Sequence, residues 1–210
     1  MKYKNILFDL DGTLIDSAPG IEASFQNAYQ KIYGVHCHKD IKSLIGPPIN
    51  QMLFTINGEM NSNVIKEFGE NFKLHYDSEG FKKSQLFENV FKVLKILKKQ
   101  KLELFIVTNK RKFPTKLILD YLNLNQFFKA IYCPDSFDFF FENKTKLVNN
   151  LLTSFSLEKP ETLFVGDTSH DGIAAEENGL DFALVKYGYG SHENSTYTIN
   201  NINKIVNILE

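Results

Sequence analysis

Two kinds of hydrophobic pattern alternate along this chain. The first is a short run of apolar residues, which is typical of a strand buried on both faces. The second is a longer stretch in which apolar residues recur every three or four positions, as in a helix with one buried face. This alternation predicts an α/β fold with a Rossmann-like, doubly wound parallel sheet, whose ligands bind beyond the carboxyl ends of the strands. The five strand candidates are Asn5–Leu10, Leu102–Val107, Ala130–Cys133, Leu163–Gly166 and Phe182–Val185.

Two helical patterns are regular enough to predict which residues face the core. The first lies between the second and third strands, and Pro114, a residue favoured in the first turn of a helix, stands near its start. The second follows the fifth strand near the end of the sequence. The predicted buried positions are Leu117, Ile118, Tyr121 and Leu122 in the first helix, and Ile202, Ile205, Val206 and Leu209 in the second.

The stretch between the first two strands is longer than the connection requires. A parallel crossover needs about a dozen residues, yet residues 17–85 contain no clear strand and carry two helical patterns separated by Gly46-Pro47-Pro48. We therefore predict a helical cap domain over residues 17–85, inserted into an α/β core domain of residues 1–16 and 86–210. The helical positions are Ile21, Phe25, Ala28 and Ile32, then Ile65, Phe68 and Phe72.

Composition narrows the classes of partner. A net charge of -1 gives no electrostatic reason to expect nucleic acid or an anionic membrane. Two cysteines cannot form a disulfide framework and indicate a reducing compartment. There is no apolar run near the ~20 residues that span a bilayer, and no signal-peptide pattern. We expect a cytoplasmic protein that binds neither nucleic acid nor membrane, and the choice between monomer and homodimer stays open.

A pair of aspartates at the end of the first strand is the first sign of chemistry. Asp9 and Asp11 follow an apolar run, and carboxylates two residues apart in an extended chain point to the same face, roughly 6–7 Å apart. Because an unpaired buried charge is costly, something cationic must meet these acids. Gly12 and Thr13 then predict a tight turn.

Three further polar groups follow predicted strands or begin predicted helices. Thr108 and Asn109 come directly after the second strand, and Lys144 precedes a helical pattern. Asp167 and Asp171 stand in an acidic loop after the fourth strand. Taken singly, each group has an ordinary interpretation. Thr108 could be a turn residue, and the two aspartates could belong to an ordinary acidic loop. Lys144 could be a solvated lysine, and Lys146 could take its predicted place in the site. Jointly they predict one site at the carboxyl edge of the sheet.

These four motifs, in this order, resemble the haloacid dehalogenase superfamily, and within it the phosphoglycolate-phosphatase-like group with a helical cap. The motif D-x-D-G-T at residues 9–13 is by itself a moderately specific indicator of this superfamily. Together with the other three motifs it is a strong indicator. The resemblance covers nearly the whole chain. It implies the order 5-4-1-2-3 for the five predicted strands, with Asp9 in the middle, and a Mg²⁺-dependent phosphatase that acts on a small phosphorylated metabolite.

The resemblance also implies roles for the acidic residues. Asp9 would attack phosphorus and form an aspartyl-phosphate. Asp11 would protonate the leaving oxygen and then take a proton from the hydrolytic water. Mg²⁺ would be held by Asp9, the backbone carbonyl of Asp11 and Asp167. Asp171 would either orient a water molecule bound to the metal or bind the metal directly.

The remaining implied roles concern the phosphate. Thr108 and the backbone amides of Leu10 and Asn109 would donate hydrogen bonds to the phosphoryl oxygens. Lys144 would offset the negative charge between the nucleophile and the phosphate. The catalytic set implied by the resemblance is therefore Asp9, Asp11, Thr108 and Lys144.

The substrate is left open by the sequence. Many relatives carry an arginine where Asn50 stands, and its absence weakens an assignment to phosphoglycolate. Phosphoglycolate, a nucleoside monophosphate, a sugar phosphate and pyrophosphate all remain candidates. Two other functions compete with hydrolysis: a phosphomutase that uses the same aspartyl-phosphate, and a catalytically silent binding module on the same fold.

Overall fold

A computed structural model describes residues 2–58 and 61–209 of the chain. The chain forms two compact units, one of Met1–Asp16 and Gln85–Glu210 and the other of Ser17–Ser84. The first unit contains a parallel sheet with helices, and the described part of the second is helical. That the second unit acts as a cap stays a prediction.

The first unit is built on a six-stranded parallel sheet in the order β5-β4-β1-β6-β7-β8. The α/β fold and the implied order of the five predicted strands are thus confirmed, with β1 between β4 and β6. The sheet also has an edge strand, β8, that the sequence did not reveal. Two further strands, β2 and β3, pair with each other antiparallel, outside this sheet. The eight strands are β1 Asn5–Phe8, β2 Ile15–Asp16, β3 Gln85–Leu86, β4 Glu103–Val107, β5 Ala130–Tyr132, β6 Thr162–Gly166, β7 Asp181–Val185 and β8 Tyr197–Ile199.

Central strands β1 and β6 are buried at every position, which explains their continuous apolar sequences. Strand β1 ends at Phe8 rather than at Leu10 as predicted. The Asp9 N–H still donates to the carbonyl of Val165 at 2.9 Å, and the chain then turns. The first aspartate is therefore held at the end of the strand, while the second lies in the turn.

The described residues form eight α-helices, the first three in the second unit and the other five in the first. They are α1 Ala18–Tyr33, α2 Ile49–Asn57, α3 Ser62–Ser78, α4 Val90–Lys99, α5 Lys112–Tyr121, α6 Lys144–Ser154, α7 Ser169–Asn178 and α8 Lys204–Leu209. Among the described residues, a helix with both the length and the apolar character needed to cross a bilayer is not found.

The predicted buried face of α5 was partly wrong. Pro114, Thr115, Ile118 and Leu119 are buried, whereas Tyr121 is 53% exposed. The buried face begins with Pro114 and Thr115 and continues four positions later with Ile118 and Leu119, so Tyr121 lies outside it. The prediction for the last helix also needs a correction, because α8 begins at Lys204; Ile202 is buried in the turn before it.

In the second unit, α1 and α3 pack through aromatic side chains. The rings of Phe25 and Phe68 meet edge to face, with centroids 4.9 Å apart. A Cβ on Gly20 of α1 would lie 2.2 Å from the carbonyl oxygen of Gly80, just after the end of α3, so the backbones approach too closely there for any side chain. The two helices thus form a small core of their own.

Candidate active site

The turn after β1 places the two aspartates of the first motif. The carbonyl of Leu10 accepts hydrogen bonds from the N–H groups of Leu14 and Ile15, at 2.9 and 3.1 Å, which closes the turn. Gly12 has φ +84°, a conformation that residues with a Cβ rarely adopt. Asp9 is buried, and the Asp11 side chain is 20% exposed. One carboxylate is thus enclosed while the other reaches the surface.

Lys144 joins two of the predicted acids. As the first residue of α6, it donates from Nζ to Asp9 Oδ1 and to Asp171 Oδ1, each at 2.6 Å. It is the only buried lysine or arginine in residues 2–58 and 61–209. Burial alone disfavours the ammonium, but the two carboxylates outweigh it and raise the pKa of Lys144. The lysine is therefore charged and shared between the two acids.

Four donors surround the carboxylate of Asp171. Besides Lys144 on Oδ1, the N–H of Asp167, the N–H of Thr168 and the Thr168 hydroxyl donate to Oδ2, at 3.2, 3.0 and 2.7 Å. A carboxylate has about four positions at which it can accept a hydrogen bond. Asp171 thus accepts four hydrogen bonds within the protein and holds both the lysine and the loop after β6.

Asp167 is enclosed by backbone and by one hydroxyl. Thr13 Oγ1 donates to its Oδ1 at 3.1 Å, and the N–H of Tyr189 donates to its Oδ2 at 2.7 Å. A Cβ on Gly12 would lie 2.1 Å from Asp167 Oδ2, and one on Gly188 would lie 2.3 Å from Asp167 Cβ. Glycines on two different loops therefore make the space that this carboxylate occupies. The residues at 188 and 189 were not predicted as part of the site.

Buried negative charge raises the pKa values of two of these acids. Burial is the largest cause of the raised pKa of Asp9, and the charges of Asp171 and Asp167 raise this pKa further. The charge of Lys144 lowers it only in part, so the pKa of Asp9 lies well above the usual range. For Asp167, burial and the charge of Asp171 outweigh the hydrogen bonds and raise the pKa to about 7. Burial is therefore the main cause of both shifts, and the neighbouring carboxylates add to it.

This donor set fits a hard divalent cation. Asp9, Asp167 and Asp171 each offer a carboxylate oxygen within 4.8 Å of the others. These three buried carboxylates and the one buried ammonium of Lys144 leave two negative charges uncompensated. Oxygen ligands with that charge suit Mg²⁺ or a similar ion. The chemistry of the residues is thus compatible with the predicted Mg²⁺.

A residue that was not predicted for the site pairs with Asp11. Lys110 Nζ donates to both oxygens of the Asp11 carboxylate, each at 2.8 Å, and its side chain is only 9% exposed. Its position directly after Thr108 and Asn109 was the available signal. The sequence does not say which way a side chain in a loop points, so this pairing required the structure.

The other predicted phosphate-binding residues lie on the loops after β1 and β4. Thr108 is buried; its N–H donates to the carbonyl of Tyr132 at 3.0 Å, and its Oγ1 accepts from the N–H of Lys110 at 3.2 Å. Asn109 is exposed and Leu10 is buried. Because β1 and β4 are parallel neighbours, with Phe8 opposite Ile106, their loops leave the same edge of the sheet.

The raised pKa of Asp167 predicts a pH-dependent stability of the metal-free protein. A carboxyl group with a higher pKa in the folded state stabilises the fold fully below its ordinary pKa, and this contribution is lost as the pH rises to about 7. We expect the free energy of unfolding to fall by about 1–2 kcal/mol between about pH 5.5 and pH 8, measured by urea denaturation in EDTA. Asp167→Asn should flatten this dependence, and a stability that rises with pH in this range would contradict the expectation.

Comparison with known proteins identifies the family of this chain. The family model for haloacid dehalogenase-like hydrolases matches residues 6–185. The pyrophosphatase PpaX of Halalkalibacterium halodurans is 30% identical over 188 residues, covering 89% of this chain and 85% of the relative. A phosphoglycolate phosphatase of Aquifex aeolicus is 33% identical over 187 residues, covering 88% and 85%. A haloacid dehalogenase-like hydrolase structure from Streptococcus pneumoniae shares the fold, with a TM-score of 0.89 at 24% identity, over 100% and 99% of the two chains. The chain therefore belongs to the haloacid dehalogenase-like hydrolases.

Proposed function

We propose that this protein is a Mg²⁺-dependent phosphatase that hydrolyses the phosphomonoester of a small metabolite through an aspartyl-phosphate on Asp9. The observation that carries the proposal is the buried cluster of Asp9, Asp167 and Asp171 around Lys144. Buried charges seldom increase stability over apolar residues of the same size. A catalytically silent module would gain little from such a cluster, whereas phosphoryl transfer needs a nucleophile beside concentrated positive charge.

Asp9 is the nucleophile in this proposal. Its carboxylate stands at the end of a rigid central strand, with one oxygen fixed by Lys144. The second oxygen would attack phosphorus, so that a P–O bond forms to Asp9 while the bond to the leaving oxygen breaks. Lys144 reduces the repulsion between the carboxylate and the anionic phosphate.

Asp11 is the acid and base in this proposal. It would give a proton to the leaving oxygen in the first step and take one from water in the second. Its partial exposure suits a group that exchanges protons with substrate and water. Thr108 and the amides of Leu10 and Asn109 would donate to the phosphoryl oxygens. Thr108 Oγ1 accepts a backbone N–H, which leaves its own proton available to donate.

Mg²⁺ would be held by Asp9, Asp167 and the backbone carbonyl of Asp11. The bound ion would supply charge that neutralises the phosphoryl oxygens. We propose that Asp171, with its four donors, positions Lys144 and the loop after β6 instead of binding the ion directly. Gly12 and Gly188 leave the space that Asp167 needs.

The substrate is proposed only as a class, a small phosphorylated metabolite in the cytoplasm. The relatives named above are a pyrophosphatase and a phosphoglycolate phosphatase, which supports a small anionic substrate. We expect the helical unit to select it, acting as a cap. Asn50, on α2 of that unit, offers an amide rather than a cation, so it favours a polar group over a second carboxylate.

A screen of phosphorylated metabolites with Mg²⁺, reporting released inorganic phosphate, tests the proposal. Release from at least one small ester, lost in Asp9→Asn, is the expected result. Return of an isomeric phosphate ester without free phosphate would identify a phosphomutase instead. No turnover of any ester, together with retained binding of one, would favour the silent module.

Removing the metal should abolish turnover. We expect EDTA to lower the rate by about 10²-fold or more, because a bound ion stabilises the transition-state charge by several kcal/mol. Added Mg²⁺ should restore the rate and raise the thermal midpoint of the EDTA-treated protein. Asp167→Asn should lose most of that thermal shift. Full activity in EDTA would contradict the proposed cofactor.

A further inference from the structure

The loop after β7, residues 186–190, packs against Asp167, one of the proposed metal ligands. The N–H of Tyr189 donates to Asp167 Oδ2 at 2.7 Å. A Cβ on Gly188 would lie 2.3 Å from Asp167 Cβ and 2.5 Å from the carbonyl oxygen of Gly12. The loop therefore supplies a donor to a carboxylate that would hold the ion, and it lies too close to that carboxylate for a side chain at position 188.

Two tyrosine hydroxyls hold this loop against the end of the first motif. Tyr187 donates from its hydroxyl to the carbonyl of Thr13 at 2.9 Å, and Tyr189 donates from its hydroxyl to Asp16 Oδ1 at 2.8 Å. Thr13 in turn donates from Oγ1 to Asp167 Oδ1 at 3.1 Å. The hydroxyls thus connect the loop to a short segment that itself contacts the same carboxylate.

These contacts fix the orientation of Asp167. Each of its oxygens accepts a hydrogen bond, from Thr13 Oγ1 on Oδ1 and from the N–H of Tyr189 on Oδ2. A carboxylate oxygen has about two acceptor positions, so positions remain for an ion while the two donors hold the group in one rotation. Loss of a group that orients a metal ligand typically lowers metal affinity or activity by about 10- to 100-fold.

We propose that Tyr187 and Tyr189 are positioning residues, whose hydroxyls hold the loop that orients Asp167 for Mg²⁺. This inference rests on the proposed function. Tyr189 stands between Gly188 and Gly190, and glycine leaves a backbone free to adopt many conformations. Without the hydroxyl contacts, the ion would have to order the loop as it binds, and that cost would weaken its affinity.

Titration of Tyr187→Phe and Tyr189→Phe with Mg²⁺ tests this inference. Isothermal calorimetry on protein freed of metal with EDTA, and then of the chelator, measures binding without turnover. We expect the Mg²⁺ dissociation constant to rise about 10-fold in each variant and about 100-fold in the double variant. With p-nitrophenyl phosphate, the Mg²⁺ concentration that gives half the maximal rate should rise by the same factor, while kcat at saturating Mg²⁺ should fall by a smaller factor.

Two further variants separate this role from a general loss of stability. Tyr197→Phe removes a hydroxyl that lies 3.0 Å from the hydroxyl of Tyr3 on the edge strand β8, and it should leave the Mg²⁺ dissociation constant unchanged. Asp16→Ala removes the acceptor of the Tyr189 hydroxyl and should weaken Mg²⁺ binding as Tyr189→Phe does. Because the two substitutions remove one shared contact, their effects should not add in the double variant. Asp16→Ala also tests this contact if Tyr189→Phe fails to fold.

The inference and the proposed function fail in different ways. Unchanged Mg²⁺ dissociation constants in Tyr187→Phe and Tyr189→Phe, beside normal binding by the wild type, would overturn the role of the hydroxyls alone. An equal rise in Tyr197→Phe would overturn it too, because the effect would not depend on contact with the site. A wild type that binds no Mg²⁺ in the calorimeter would instead refute the proposed cofactor.

Discussion

Asp9→Asn should abolish phosphatase activity and leave the fold intact. An amide oxygen is a poor nucleophile, so we expect turnover to fall by at least about 10⁴-fold, as for the loss of other enzyme nucleophiles. The fold should survive because the substitution keeps the shape of the side chain and removes one of the buried negative charges around Lys144. Phosphate release and urea denaturation measure the two effects.

Asp138→Asn is the matched control for this result. Asp138 is exposed on the loop between β5 and α6, and the same change of chemistry there should leave turnover unaltered. The Asp9 variant should also carry no covalently bound phosphate when it is quenched with acid during turnover. More than a trace of activity in a purified Asp9→Asn sample would exclude Asp9 as the nucleophile.

Lys144→Met should damage both activity and stability. It removes the one buried ammonium among the described residues and leaves Asp9 and Asp171 without their shared partner. Breaking a buried ion pair on one side destabilises a protein by about 3–5 kcal/mol, and we expect a loss of that size in urea at about pH 8. The loss should be smaller near pH 6, because the raised pKa values of Asp9 and Asp167 favour their neutral forms.

Lys146→Met separates this effect from a general effect of losing a lysine. Lys146 lies two residues further along the same helix, where its side chain is 60% exposed and contacts only Glu142 among the ion pairs described. An exposed pair of this kind contributes little to stability, because water screens it. If the free energy of unfolding fell by a comparable amount in the two variants, the buried contacts of Lys144 would not be what stabilises the site.

The sheet could be predicted because its strands are buried on both faces and therefore read as unbroken apolar runs. Strand β8 escaped prediction because Tyr197–Ile199 is short and contains an exposed threonine. The buried face of α5 was misjudged for a related reason. Pro114 and Thr115 are small and not strongly apolar, yet they pack inward, whereas the large ring of Tyr121 points to solvent.

The site could be predicted only in part, for a different reason. Sheet topology brings the ends of distant strands together, so the motif residues Asp9 and Asp167 could be expected at one edge. The direction of a side chain in a loop depends on its backbone geometry, which motif spacing does not reveal. Two contacts could therefore not be predicted from the sequence. They are the bridge from Lys110 to Asp11 and the hydrogen bond from the N–H of Tyr189 to Asp167.

The position of β1 has a consequence for how the polypeptide acquires its shape. This strand is synthesised before both of its neighbours, Glu103–Val107 and Thr162–Gly166, which come from far later in the sequence. Contacts between such distant segments slow folding, because the intervening polypeptide loses entropy before they form. Until Gly166 has left the ribosome, Ile6, Leu7 and Phe8 cannot gain both neighbours, so nascent fragments that stop short of it should be prone to aggregate and to recruit chaperones.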